Sequence, residues 1–383
     1  MDIAYLDYQR AFDSVVHAKL AAVLTQLGIE GNMHRWIVNY LNGRTQKVKI
    51  NDKYSSDLPV ISSVPQGTCL GPLLFIMYIN ELPKIVEHSS VYLFADDCKL
   101  HICYDRNAPT DRLQSDLNKI FHWSESMQLQ FALGKCSVLH VGRRNSVQKP
   151  SYELGQVELE NCDSMRDLDV IIDPELKFSL HCATVAKKAS MRLNCIFRSF
   201  ETRDTNFLLN MYKTYVRPTL EYASSCWAPY LSKDVKLIES VQREFTRRIP
   251  EIARKKLPYL ERLNLLQLER LDLRRLHSDL ILTFKLMYGH VNVDPNALFT
   301  FHPQAYDNFD GLKIANTVLR LQKPNFKMLC RKHFFNARVV SPWNVLPTEV
   351  KLSKSIREFK LRLKGSATDR EKVDLSAFLR DLS

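Results

Sequence analysis

The chain has 383 residues, 45% hydrophobic and 25% charged, which excludes wholesale disorder and leaves room for two or three modest domains with cores of their own. With 54 basic against 42 acidic residues the net charge is +12, a balance that suits a polyanionic partner. The excess is local, because residues 182–289 hold 20 basic and 11 acidic residues, an excess of nine.

Nine cysteines without a CxxC pair match neither a disulfide framework nor a zinc site, and predict a reducing, intracellular setting. The opening MDIAYLDYQR is neither a basic leader nor an apolar run of signal-peptide length, and no stretch reaches the ~20 apolar residues of a membrane span. A soluble chain without a membrane partner is therefore expected. Nothing favours nucleus over cytoplasm or fixes the oligomeric state.

In chain order, Ile3 to Leu6 reads as a short strand ending at Asp7, with Phe12 five residues on. Asp13 and Ser14 read as caps for a helix through Val16, Leu20, Val23, Leu24 and Leu27, stopped by Gly28. A second helix covers Met33 to Leu41. Two strand-like runs, Gln46 to Ile50 and Leu58 to Ser62, flank a turn at Asn51-Asp52. In residues 62–83 Pro65 and Gly67 break the strand, leaving Gln66 on an exposed loop, and Leu70, Leu73, Leu74, Met77 and Tyr78 then repeat at helical spacing. Val91 to Cys103, VYLFADDCKLHIC, reads as a hairpin with Asp96 and Asp97 at its tip. Adjacent carboxylates there suit a solvated turn, or a cation that keeps both ionised.

Three features stand in order within the first hundred residues: LDYQRAFD, SVPQGTCLGPLLF and FADD. The set resembles the palm of reverse transcriptases from non-long-terminal-repeat retrotransposons, jockey-like LINE elements in particular. Similarity continues through LGKCSVLHVG (133–142), RDLDVIID (166–173), VRPTLEYASSCWAPY (216–230) and FFNARVVSPWNVLP (334–347). It implies an α/β palm (α+β) with a small antiparallel sheet over residues 1–178. A mostly helical, basic thumb over 179–290 and a C-terminal region over 291–383 without an assigned role would follow.

The resemblance implies an RNA-directed DNA polymerase taking an RNA template, a DNA primer and deoxynucleoside triphosphates. Asp7, Asp96 and Asp97 would be the catalytic carboxylates, holding two Mg2+ ions. Phe12 would lie beneath the incoming sugar, Gln66 and Gly67 at the nascent base pair, and Lys135 at the departing pyrophosphate. On apolarity alone Phe12 also reads as core, and Lys135 as a solvated lysine. In the basic segment, Ile238, Val241, Phe245 and Ile249 share one helix face. Arg243, Arg247, Arg248, Arg254, Lys255, Lys256, Arg274 and Arg275 are then expected to meet phosphates without sequence preference.

Departures from the family pattern are also visible. Only six residues precede Asp7, where the resemblance places a fingers subdomain and, further upstream, an endonuclease, so a truncated chain of weak or no polymerase activity is expected. Ser63 and Asp169 stand where the family favours glycine. The competing expectations are a non-catalytic nucleic-acid-binding remnant and, less well supported, a metal-dependent nuclease.

Overall fold

Strand alternation organises the N-terminal half. The computed structural model describes residues 1–104, 111–142, 150–301, 320–365 and 373–379. Its central sheet has five strands, in the spatial order Glu160–Cys162, Ser137–His140, Asp2–Leu6, Asp97–Ile102 and Ser90–Phe94. Register puts Leu6 across from Cys98, Ala4 across from both Leu100 and Val138, and Val91 across from Leu100.

These residues share one face, because side chains directly opposite each other lie on the same side of a sheet. That face is covered by the helices His17–Gln26, Leu70–Ile79 and Asp111–Met127, through Leu20, Leu24, Leu74, Phe75, Tyr78, Leu117 and Ile120. The opposite face carries Tyr92, Phe94, Lys99 and His101; it is open at the outer strand, where Phe94 is 65% exposed, while Ile3 and Leu139 on the same face are buried. The sheet is small but not wholly antiparallel as expected: the outer strand Glu160–Cys162 runs parallel to Ser137–His140.

Local expectations met the structure unevenly. The first helix begins at His17 with no side-chain cap. Asp13 and Ser14 fall instead in the turns before it, where Ser14 donates its hydroxyl to the Gln9 carbonyl at 3.1 Å. Short-range hydrogen bonding of this kind competes with capping. Gly28, at φ +78°, ends the helix as a left-handed residue does. Residues 45–59 make two two-residue ribbons, not two continuous strands, although the Asn51-Asp52 turn stands between the paired Ile50 and Lys53.

Two compact units divide the chain: residues 1–165 with 173–175, and residues 166–172 with 176–383. From Ser179 the described chain is helical but for an isolated bridge between Phe301 and Leu321. Residues 179–290 and 291–365 thus share one unit. The long helices Ser179–Ser199 and Ser232–Arg248 pack through Leu193, Ile196, Phe197, Ile238, Val241 and Phe245. The ring of Tyr212 stacks on Phe245 at 4.2 Å and its hydroxyl donates to Gln242 at 2.9 Å. A second core lies around Phe284, Trp343 and Phe359. Among the described residues no helix is long and apolar enough to cross a membrane, and the nine cysteines are free thiols.

Candidate active site

The two aspartates of the first strand have opposite fates. Asp2 and Asp7 are five positions apart, an odd number, so alternation sends them to opposite faces. Asp2 is buried and shared by His140 Nδ1 at 2.9 Å and the Tyr152 hydroxyl at 2.7 Å. Burial alone would raise its pKa, but these hydrogen bonds prevail and hold it below the usual carboxylate value. Asp7 follows the strand on the face away from those helices, half-buried.

The Asp7 backbone is pinned from both sides. Its N–H points to Cys136 Sγ at 3.4 Å, and its carbonyl accepts the Ala132 N–H at 2.8 Å. Beside it, Tyr8 stacks on Phe131 with ring centroids 4.5 Å apart. The sequence reading missed this bracing, although Cys136 lay within a segment already singled out.

The hairpin is tighter than its sequence suggests. Phe94 pairs with Asp97, so the tip is Ala95-Asp96 and Asp97 is already the first residue of the returning strand. Ala95 adopts φ +53°, a conformation that two-residue hairpin turns demand and that alanine resists. The lead-in is anchored by Asp116, fully buried, whose carboxylate accepts the N–H groups of Glu87, His88 and Ser89 at 3.1, 3.0 and 2.7 Å. Leu6 pairs with Cys98, and one further step along that register sets Asp7 across from Asp97, with Asp96 at the adjoining tip.

Lys135 joins this edge. Its Nζ lies 3.0 Å from Asp7 Oδ2. Its pKa is raised by the hydrogen bond and charge of Asp7, with the charge of Asp96 adding to them. The ammonium therefore stands in the field of both carboxylates, as a cation would. Among the described residues no three His, Cys, Asp or Glu side chains are placed so that they could hold a metal ion. The donor chemistry of this edge, carboxylate oxygens alone, is of the kind that hard divalent ions take.

The neighbouring loop carries the other nucleotide-site candidates. Phe12 is half-buried and stacks on Phe75 at 4.4 Å, so its ring is held by the core. Gln66 donates from Nε2 to Asp13 Oδ1 at 2.9 Å; this partnership is where Asp13 serves. Gly67 adopts φ +74° with open space where a side chain would stand, so conformation and not crowding calls for glycine. Gly71, unremarked in the sequence, is the crowded one: a Cβ there would meet the Pro65 carbonyl. Thr68 bridges them, donating to the Pro65 carbonyl at 2.7 Å and accepting from the Gly71 N–H at 3.1 Å. Ser63, where glycine was expected, has φ +100°.

The basic candidates separate into two groups. Arg254, Lys255 and Lys256 are exposed. Arg247 is exposed but paired with Glu244. Arg243 lies over the Tyr259 ring at 4.8 Å, and Arg248 over the Phe197 ring at 4.1 Å while donating to Asn194 at 2.6 Å. Arg274 and Arg275 correct the expectation of surface phosphate contacts. Arg274 commits Nε and Nη2 to the Glu221 carboxylate, Nη2 at 3.0 Å. Arg275 is 4% exposed, and burial lowers its pKa against the attraction of Glu239 and Asp272.

Residues 3–176 match the family model of reverse transcriptase (RNA-dependent DNA polymerase). The chain is 24% identical over 253 residues to a Drosophila melanogaster protein named "Probable RNA-directed DNA polymerase from transposon X-element". It is 24% identical over 258 residues to the RNA-directed DNA polymerase from mobile element jockey of the same organism. Each match covers 64% of this chain and 28% of the relative, so the chain spans little more than a quarter of those proteins. A solved structure of telomerase from Candida albicans with a TWJ fragment of telomeric RNA aligns over 66% of this chain and 40% of that one. At 14% identity and a TM-score of 0.32 that likeness carries no argument. Residues 3–176 thus carry a reverse transcriptase domain similar to those of RNA-directed DNA polymerases from non-LTR retrotransposons.

Proposed function

We propose that the chain provides the palm, over residues 1–178, and a helical thumb, over 179–290, of an RNA-directed DNA polymerase that extends a DNA primer on an RNA template. The observation that carries the reading is the shared edge of Asp7, Asp96 and Asp97, with Lys135 in the field of the first two. Phosphoryl transfer asks a protein mainly for position and electrostatics. Asp7, Asp96 and Asp97 would hold two Mg2+ ions, which when bound activate the primer hydroxyl and stabilise the leaving pyrophosphate.

The protein's own groups do the rest. Phe12, braced by Phe75, excludes a 2′ hydroxyl beneath the incoming sugar. Gln66, oriented by Asp13, and Gly67 meet the nascent base pair. Lys135 leaves Asp7 to neutralise the departing pyrophosphate. Arg243, Arg247, Arg248, Arg254, Lys255 and Lys256 contact the duplex backbone. Primer extension with Mg2+ and deoxynucleotides on an RNA template tests the reading; template-dependent extension abolished by Asp96→Asn supports it, and extension untouched by that change refutes it.

A second reading is a nucleic-acid-binding remnant without catalysis. It is favoured by Ser63 and Asp169, non-glycine residues at φ +100° and +65°, a strain expected of a domain that has drifted. Salt-dependent hybrid binding without any metal-dependent extension would select it.

A further inference from the structure

Residues 42–59 form an arm on which every residue is exposed. The chain runs out, folds back at the Asn51-Asp52 turn with Asn51 at φ +54°, and returns. It pairs with itself in two-stranded ribbons, Thr45–Gln46 with Leu58–Pro59 and Lys49–Ile50 with Lys53–Tyr54, and among the described residues no third strand joins them. A ribbon of two strands with neither face covered is marginal on its own, and a third strand is what makes such an element stable.

Register identifies the open edge. The N–H groups of Ser55 and Val60 donate to the Val48 and Arg44 carbonyls, each at 2.9 Å. Ladder bonds of an antiparallel pair alternate along each strand, so the N–H and C=O of Thr45 and Lys49 turn away from the returning strand. The returning strand has Pro59 on its own outer edge, where proline has no N–H to offer. Alternation also sorts the side chains. Val48 and Ile50 share a face with Gln46 and with its partner Leu58, and the three apolar residues are 63, 69 and 59% exposed. Lys47 and Lys49 take the other face, their ammonium groups over the Tyr54 ring at 5.5 and 5.3 Å. Lys47 is also 3.4 Å from Asp57, but both side chains of that pair are about half exposed, and such pairs are weak.

We propose that the outer edge of residues 44–50 is a docking site for another protein, which adds an extended segment as a third strand with aliphatic and acidic side chains in alternation. Backbone pairing to Thr45 and Lys49 holds the segment, its aliphatic residues cover Val48, Ile50 and Leu58, and its carboxylates meet Lys47 and Lys49. Other occupants use less of the arm. A second copy docked edge to edge sets lysines against lysines, and like charges facing each other oppose pairing. A bilayer leaves the outward N–H and C=O groups without partners. A nucleic-acid strand meets the lysines, but its phosphates only accept hydrogen bonds, so the outward carbonyls and the aliphatic face go unused.

A fluorescein-labelled peptide of about eight residues, valine and glutamate in alternation, titrated into the full chain and followed by anisotropy, tests the proposal. Saturable binding is expected, weakened about tenfold by Lys47→Glu with Lys49→Glu and about threefold by Val48→Ser with Ile50→Ser. A peptide of alternating valine and lysine should not bind the unaltered chain but should bind the charge-reversed variant. Methylation of the peptide's valine nitrogens or of its glutamate nitrogens should abolish binding in one case and be tolerated in the other, because only one alternate set faces the arm. These peptide-side changes leave the protein untouched, so they decide the question even where a variant fails to fold. No saturable binding, binding indifferent to both double variants, or equal tolerance of either methylated set overturns the proposal. So does a single-stranded RNA or a phosphatidylserine vesicle that binds more tightly than the peptide and is lost in Val48→Ser with Ile50→Ser, or a dimer of the unaltered chain that the same double variant dissociates.

Discussion

The acidic edge of the sheet and the basic helices treat like charge in opposite ways. Asp7, Asp96 and Asp97 are held together on two neighbouring strands and the turn beside them, with one lysine drawn to them. In the helical unit several arginines are quenched one at a time: Arg274 by Glu221, Arg270 by Asp272, Arg338 by Asp279. Others lie on rings, as Arg243 does on Tyr259. Carboxylates gathered on an edge repel one another, and folding alone gives no reason to collect them. Paired or stacked arginines, by contrast, are accounted for by folding. Concentration of like charge, more than charge itself, separates a candidate site from a scaffold.

If that distinction is right, removing a quenched cation should damage the fold, and removing an exposed one should not. Arg274→Ala leaves the Glu221 carboxylate without its bidentate partner in a half-buried position and should cost about 3 kcal/mol in denaturant unfolding. Lys255→Ala should stay within roughly 0.5 kcal/mol while flattening the salt dependence of hybrid binding. Equal costs would erase the comparison.

The next effect is one of pH. Burial pulls His181 down to about 4, so the folded protein keeps the ring neutral while the unfolded chain protonates it near 6.5. Between those values the unfolded state binds more protons, so this contribution is complete above about pH 6.5 and is lost as pH falls toward about 4. Unfolding measured from pH 7 to 4.5 should show a slope on the order of 2 kcal/mol over the window, reduced in His181→Gln. A slope that the variant leaves intact would mean that other groups carry it.

A smaller change should stabilise. Ser63 pays for a left-handed backbone that glycine adopts freely, and Ser63→Gly should raise stability by about 1 kcal/mol in the same assay. Lower stability would show that the Ser63 hydroxyl, which donates to the Val64 carbonyl at 3.2 Å, outweighs the strain.

The sequence was informative where spacing is short and periodic. Asp7 at a strand end, the Asn51-Asp52 turn, the helix beginning at Leu70 and the hairpin carrying Asp96 all follow from neighbours within a few residues. The family pattern also pointed to Ser63 and Asp169, whose positive φ values give the preference for glycine there a physical basis. What escaped depends on distant partners. Glu160–Cys162, with the polar sequence ENC, becomes a strand only because Ser137–His140 lies beside it. Asp13 reads as a cap until Gln66, far along the chain, is seen to donate to it. Arg274 and Arg275 sit in the same charge run as residues on the surface, and only packing against Glu221 and Glu239 separates them.

The most direct measurement is divalent-ion binding, since it does not depend on the chain's being active. Mn2+ titrated into the protein should bind saturably, be lost in Asp7→Asn and in Asp96→Asn, and tighten several-fold in Lys135→Met, where the competing ammonium is gone. Asp57→Asn, an exposed carboxylate paired with Lys47 elsewhere in the same unit, should change nothing. Mn2+ binding that survives both edge substitutions, or that never occurs, would contradict the assignment of Asp7, Asp96 and Asp97 as a metal-holding edge.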